Sequence, residues 1–144
     1  MSDYHYKKHI DNGTTYDEGN MIQCHDADIS AVGTFIPAPT FTAAGFECDT
    51  SAKVVSDGSA TVDIGRLFAQ TVDLTVTSSG YLHIGVIEAS NVTIKIENSG
   101  KLIIDSGKIG VIGGVVKNSS YGKCTATIKQ DNVTVESAST WVTS

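Results

Sequence analysis

A chain of 144 residues supports one hydrophobic core and is too short for two independent domains and a linker. With 10 Lys and Arg against 16 Asp and Glu, a formal net charge of −6, it has no basic patch to neutralise phosphates, which argues against a nucleic-acid partner. Cys24, Cys48 and Cys124 are an odd number at wide spacing, which fits neither a dense disulfide framework nor paired zinc ligands, and no run of about eighteen apolar residues offers a membrane helix.

In chain order, residues 1–20 are polar, carry Tyr4, Tyr6 and Tyr16, and hold an Asn12-Gly13 turn signal. The stretch lacks the apolar run of a signal peptide, so the expected location is the cytoplasm or a virion, with thiols kept reduced. Such an arm needs tying down, by adding a strand to its own domain or by a neighbouring subunit. Residues 21–30 read as a short strand. Residues 35–46 form an apolar segment containing Phe35, Phe41 and Phe46, interrupted by Pro37 and Pro39. Because proline removes donors that a central strand needs, this segment reads as a cap or intersubunit patch. Residues 1–50 are therefore expected to be a non-repetitive head and docking arm, and residues 51–144 a repeat domain.

The repeat is clearest from Thr71 to Gly110. Val72, Leu74 and Val76 fall over Val92, Ile94 and Ile96, Ser79-Gly80 over Ser99-Gly100, and Leu82 and Ile84 over Leu102 and Ile104, at about twenty residues. Thr61 to Gly65 lies one period upstream. Downstream, Gly122 to Ala126 echoes Gly100 to Ile104 after an apparent two-residue insertion, and Asn132 to Val135 echoes Asn91 to Ile94. That predicts four to five repeats. Alternating β-branched residues with Gly, Ser, Asn or Asp between runs predict an all-β protein without helices.

Two architectures use such a pattern: a short β-solenoid, or parallel β-helix, with each repeat one coil, or an antiparallel β-sandwich of hairpins turned at the Ser-Gly positions. Similar side chains at equal phase favour the solenoid, in which each residue stacks on its equivalent. The expected inward ladders are Val72/Val92/Val133, Leu74/Ile94/Val135, Leu82/Leu102/Cys124 and Val62/Leu82. Thr75/Lys95, Tyr81/Lys101/Lys123 and Asp63/His83 are expected outside, with Asn91 and Asn132 in equivalent turns.

Chemistry-bearing residues point away from catalysis. His5 and His9 lie on a solvated arm, Cys24-His25-Asp26-Ala27-Asp28 with Cys48 and Asp49 lacks structural-zinc spacing, and no metal or cofactor is expected. Asp63, Asp73, Glu88, Glu97 and Asp105 fall at different phases, unlike the paired carboxyls of a glycosidase. The interaction candidates are Tyr4, Tyr6, Phe35, Phe41, Phe46, Tyr81, His83 and Trp141, the last beside a possible strand edge.

The Thr71–Lys108 phrase of apolar alternation, Ser-Ser-Gly or Asn-Ser-Gly, then Leu-x-Ile, resembles the adhesin-like head GIN family of bacterial surface proteins. It is also similar to repeats of phage head fibres and, more distantly, to bactofilins, the β-helical cytoskeletal proteins that polymerise end to end. These resemblances imply a non-enzymatic structural module of virion decoration or fibre type. It would dock into a larger assembly through its N-terminal head and self-associate, with a trimer expected. The alternatives are a cell-surface or glycan-binding adhesion domain, with Tyr81 and His83 lining its groove, and a polymerising intracellular scaffold.

Overall fold

The structure, a computed structural model, describes residues 3–34 and 37–143. Ten strands make up the described chain: β1 His5–Ile10, β2 Thr15–Gly33, β3 Thr40–Gly58, β4 Thr61–Phe68, β5 Thr71–Thr77, β6 Tyr81–Glu97, β7 Lys101–Val116, β8 Tyr121–Cys124, β9 Thr127–Val135 and β10 Thr140–Val142. Every pairing among them is parallel. Parallel neighbours joined without a helical crossover require the chain to wind, and it does so for about 7 turns of about 20 residues. The protein is a β-solenoid.

Register follows from side-chain alternation. One inward ladder runs Tyr16, Phe41, Val62, Leu82, Leu102, Gly122, Trp141. On a second wall, Tyr6, Ala27, Ala52, Val72, Val92, Ile112 and Asp131 share a position, as do Lys8, Ile29, Val54, Leu74, Ile94, Gly114 and Val133. In the central coils these positions are filled by fully buried aliphatic residues that stack like on like. Each fully buried Val, Leu or Ile contributes roughly 1.5–3 kcal/mol by leaving water.

Neighbouring coils are linked by turns whose two central residues are left-handed: Ser78 and Ser79, Asn98 and Ser99, Asn118 and Ser119, Ser137 and Ala138, all with φ between 53° and 71°. Gly80 N–H closes its turn on Thr77 O at 2.9 Å and Gly100 N–H on Glu97 O at 3.1 Å. The turns also bond one another, Ser79 N–H to Asn98 O and Ser99 N–H to Asn118 O, each at 3.0 Å. The same Ser-Gly signals that allow a hairpin here redirect the strand along the coil, and the sandwich alternative is excluded.

Four expectations are corrected. Parallel pairing starts at His5, so residues 5–33 and 40–50 belong to the solenoid and are no separate head. Their repeat is hidden because Thr15 pairs with Thr40, a spacing of 25 residues, with register shifts between Glu18 and Met21 and between Cys24 and Asp26. Phe41 and Phe46 are no cap or patch: both are fully buried, and Tyr6 is buried against them. Their segment lies in β3, which is paired on both sides, while Pro39 sits just before it and instead supplies a carbonyl that accepts Thr61 N–H at 3.0 Å. Phe35 lies outside the described residues. Finally, there is no insertion after Gly110. Tyr121 pairs with Lys101, which puts Cys124 over Ile104 and Lys123 over Ile103, while Val133 lies over Gly114 and Asn132 over Gly113, away from the Asn91 position.

Candidate functional site

On the outer face of the Tyr81 wall, His83 stands between two carboxylates from neighbouring coils. Its Nδ1 lies 2.8 Å from Asp63 Oδ1 and its Nε2 2.7 Å from Asp105 Oδ2. Asp63 is its register partner in β4, whereas Asp105 lies two residues beyond its partner Ile103 in β7, on the same outward side. A neutral imidazole has one N–H, so two ionised carboxylates at this range select the protonated ring. Partial burial works against the charge, but the hydrogen bonds to Asp105 and then Asp63 outweigh it and raise the His83 pKa above its ordinary value.

The sign of the resulting linkage is definite. A raised folded pKa adds stability that is complete below the unfolded value of about 6.5 and disappears as pH rises through the folded value. The chain is therefore expected to lose more stability between pH 6 and pH 8 than its His83→Gln variant, by about 1 kcal/mol for a partly exposed network. Urea midpoints at the two pH values measure this, and equal slopes would show that the pair of carboxylates does not hold the proton.

Beside this array, Lys101 Nζ lies 5.9 Å from the Tyr81 ring centroid and 5.7 Å from that of Tyr121, forming a Tyr–Lys–Tyr ladder across three coils. Burial first, then Asp63 and Asp105, raise the Tyr81 pKa, so its hydroxyl stays protonated. Of the sequence candidates, Tyr81 and His83 are thus brought together, whereas Tyr4 lies on the first coil and Trp141 on the last.

The remaining carboxylates are engaged differently. Glu97 takes Lys117 Nζ at 3.1 Å and Lys95 Nζ at 3.7 Å. His5 meets Asp26 at 2.8 Å, His9 meets Asp28 at 3.2 Å and His25 meets Asp49 at 3.9 Å, so each of the four histidines faces an aspartate of an adjoining coil. Among the described residues, no group of three or more His, Cys, Asp or Glu is arranged to hold a metal ion. A hollow of about 320 Å³ is lined by Ala89, Ser90, Lys108, Ile109, Thr127 and Lys129, away from the Asp–His–Asp array.

The two ends of the winding differ in chemistry. In the first coil, Tyr6 and Tyr16 donate their hydroxyls to Glu18 Oε1 at 3.2 and 3.1 Å, and Lys8 Nζ lies 3.9 Å from the Tyr16 ring centroid. Polar residues at inward positions close the core there. In the last coil, Trp141 lies over Gly122, where a Cβ would come within 2.6 Å of the indole, and its Nε1–H donates to Asp131 Oδ2 at 2.9 Å. Of the neighbouring inward residues, Val133 is partly buried and Val135 is exposed. Sequence reading missed Glu18, which is legible only once Glu18 is seen to share the ladder position of Ala43 and Ile64.

No protein family, curated protein or solved structure matches this chain.

Proposed function

We propose that this chain is a non-enzymatic structural module, a stiff rod of the kind that builds fibres or decorates particles, joined to other subunits through its ends. One observation carries the reading. Among the described residues four large hydrophobic residues are exposed: Tyr4 at 53% and Met21 at 40% on the first coil, Val32 at 43% on the second, directly after the stretch paired with β1, and Val135 at 45% on the last. From Thr40 to Thr134 the described residues present none. Among the described residues, β1 pairs only with β2 and β9 only with β7, so each end also presents unpaired strand groups that template another strand.

The ends also fit one another. Tyr6 and Asp131 hold the same ladder position, as do Lys8 and Val133 and as do Tyr16 and Trp141. A second copy added in phase would continue the β9 wall with its own β1 and bring Lys8 near Asp131. Such a head-to-tail contact is heterologous and grows as an open series or a ring. Light scattering over a range of concentrations is expected to show oligomers for the full chain and a mass shifted toward the monomer for Val135→Lys and Met21→Lys. A monomer at every concentration would overturn self-association, and a fixed trimer insensitive to both substitutions would place the contact on a lateral face. Point substitutions are the right tool, because deleting residues 1–30 would strip Tyr6 and Ile29 from the core.

Glycan binding is the second reading, favoured by the Tyr81–Lys101–Tyr121 ladder beside the Asp–His–Asp array. Partly exposed aromatic rings with adjacent carboxylates suit a sugar's apolar face and hydroxyls. A glycan array probed with the wild-type chain and with Tyr81→Ala tests it.

A further inference from the structure

Cys24 and Cys48 occupy the same ladder position in successive coils, and their Sγ atoms lie 3.3 Å apart. Sequence allows Cys48 and Asp49 to join the Cys24–Asp28 stretch in space, and the register brings them there. We propose that these two thiols form an oxidisable site that closes to an intramolecular disulfide and staples the first coil of the solenoid to the second.

Three features of the geometry support this. Adjacent parallel strands lie about 4.8 Å apart, within the Cα separation that a disulfide spans. The register shift between Cys24 and Asp26 falls beside the pair, where the two strands are not held in strict parallel pairing. Cys48 is partly exposed while Cys24 is buried, which sets an order of events. A low-molecular-weight disulfide such as oxidised glutathione reaches Cys48 first. The Cys48 thiolate attacks it, its S–S bond breaks, and one glutathione leaves as thiolate and is protonated. Cys24 Sγ then loses its proton, attacks Cys48 Sγ and expels the second glutathione. Two protein S–H bonds are lost, one S–S bond forms, and the oxidant is reduced to two thiols.

The local electrostatics set the rate. Burial raises the pKa of both thiols, and the hydrogen bond and charge of Cys24 raise Cys48 further. The thiolate fraction is small, so closure is slow and the reduced pair resists brief oxidation. Cys124, fully buried at the opposite end against Ile104, has no such neighbour among the cysteines and stays reduced.

The test equilibrates the full chain with graded mixtures of reduced and oxidised glutathione, then alkylates it under denaturing conditions for peptide mass analysis. The expected product has lost two hydrogens, joins the peptides containing Cys24 and Cys48, and carries alkylated Cys124. Its melting temperature is expected to be higher by about 5–10 °C, and reductant should reverse the gain. Cys24→Ala, checked for native circular dichroism, should accumulate only the mixed disulfide on Cys48 and show no such gain. Three alkylated cysteines at every ratio, a Cys48 adduct in the wild-type chain that never resolves, or cross-links only between chains would each overturn the proposal.

Discussion

Phe46→Ala is expected to lower the unfolding free energy by about 3–5 kcal/mol. Phe46 is fully buried in the ladder Ile22, Phe46, Leu67, Ile87. Its ring centroid lies 4.8 Å from that of Tyr6, edge-on, and 6.5 Å from that of Phe41, which in turn stacks on Tyr16 at 5.8 Å. A globular core partly closes around a missing ring. Here the walls are β-strands held at fixed spacing by parallel ladders on both sides of β3, so the hollow left by the ring cannot collapse. The loss reaches further through Tyr6, whose position over Phe46 delivers its hydroxyl to Glu18 and closes the core end. Equilibrium urea denaturation measures the effect; a shift in midpoint at unchanged slope is expected, and a loss below about 1.5 kcal/mol would show that the coils can close over the gap.

How far the fold was legible in the sequence depends on which coil is considered. From Thr61 to Gly110 each coil repeats at 20 residues and stacks aliphatic on aliphatic, so phase, burial and register were all readable. The Asp63–His83 pair was readable as well, because outward residues obey the same phase. In the first coils the inward ladders pass through Tyr6, Ala27 and Ala52, and through Glu18 and Ala43, before reaching the branched aliphatics. Chemical likeness between coils is absent where aromatic and charged residues must close the end, so a reading based on likeness assigned those coils to a head. The error at the other end has a different cause. A slip of one residue turns every side chain to the opposite face and is visible in the alternation, but a slip of two preserves it. Cys124 and Val133 therefore do lie on inward ladders, yet two positions from where likeness puts them, because Gly122 holds the place over Leu102 and Asp131 the place on the Val72 and Val92 ladder, where the repeat predicts aliphatic residues. A pair made by side chains from different coils at offset positions, such as His83 with Asp105, requires that register before it can be recognised.

Gly114→Ala is expected to cost about 3 kcal/mol or more and to release the last coil first. Gly114 has a φ of +119°, which L side chains rarely adopt, and a Cβ built there runs into the carbonyl oxygen and amide nitrogen of Ile94 in the coil beneath. Neither obstacle is a flexible side chain, so relief requires β6 and β7 to separate. Because β9 pairs with β7 from Lys108↔Thr127 to Val116↔Val135, that separation also disturbs the pairing that carries Val133 and Val135. Gly113→Ala is the matched control: its Cβ would meet only Asn132 Cβ, at 3.9 Å, and a change within about 0.5 kcal/mol is expected. The single tryptophan, Trp141, reports the last coil by fluorescence while far-ultraviolet circular dichroism reports the whole. In Gly114→Ala the fluorescence transition should precede the dichroism transition, and coincident transitions would mean that the coils unfold as one unit. Early release is expected because each coil touches only its neighbours, so a fault near one end unzips that end. The same variant should weaken self-association through Val135, whereas Phe46→Ala, at equal or greater cost in stability, leaves that end intact.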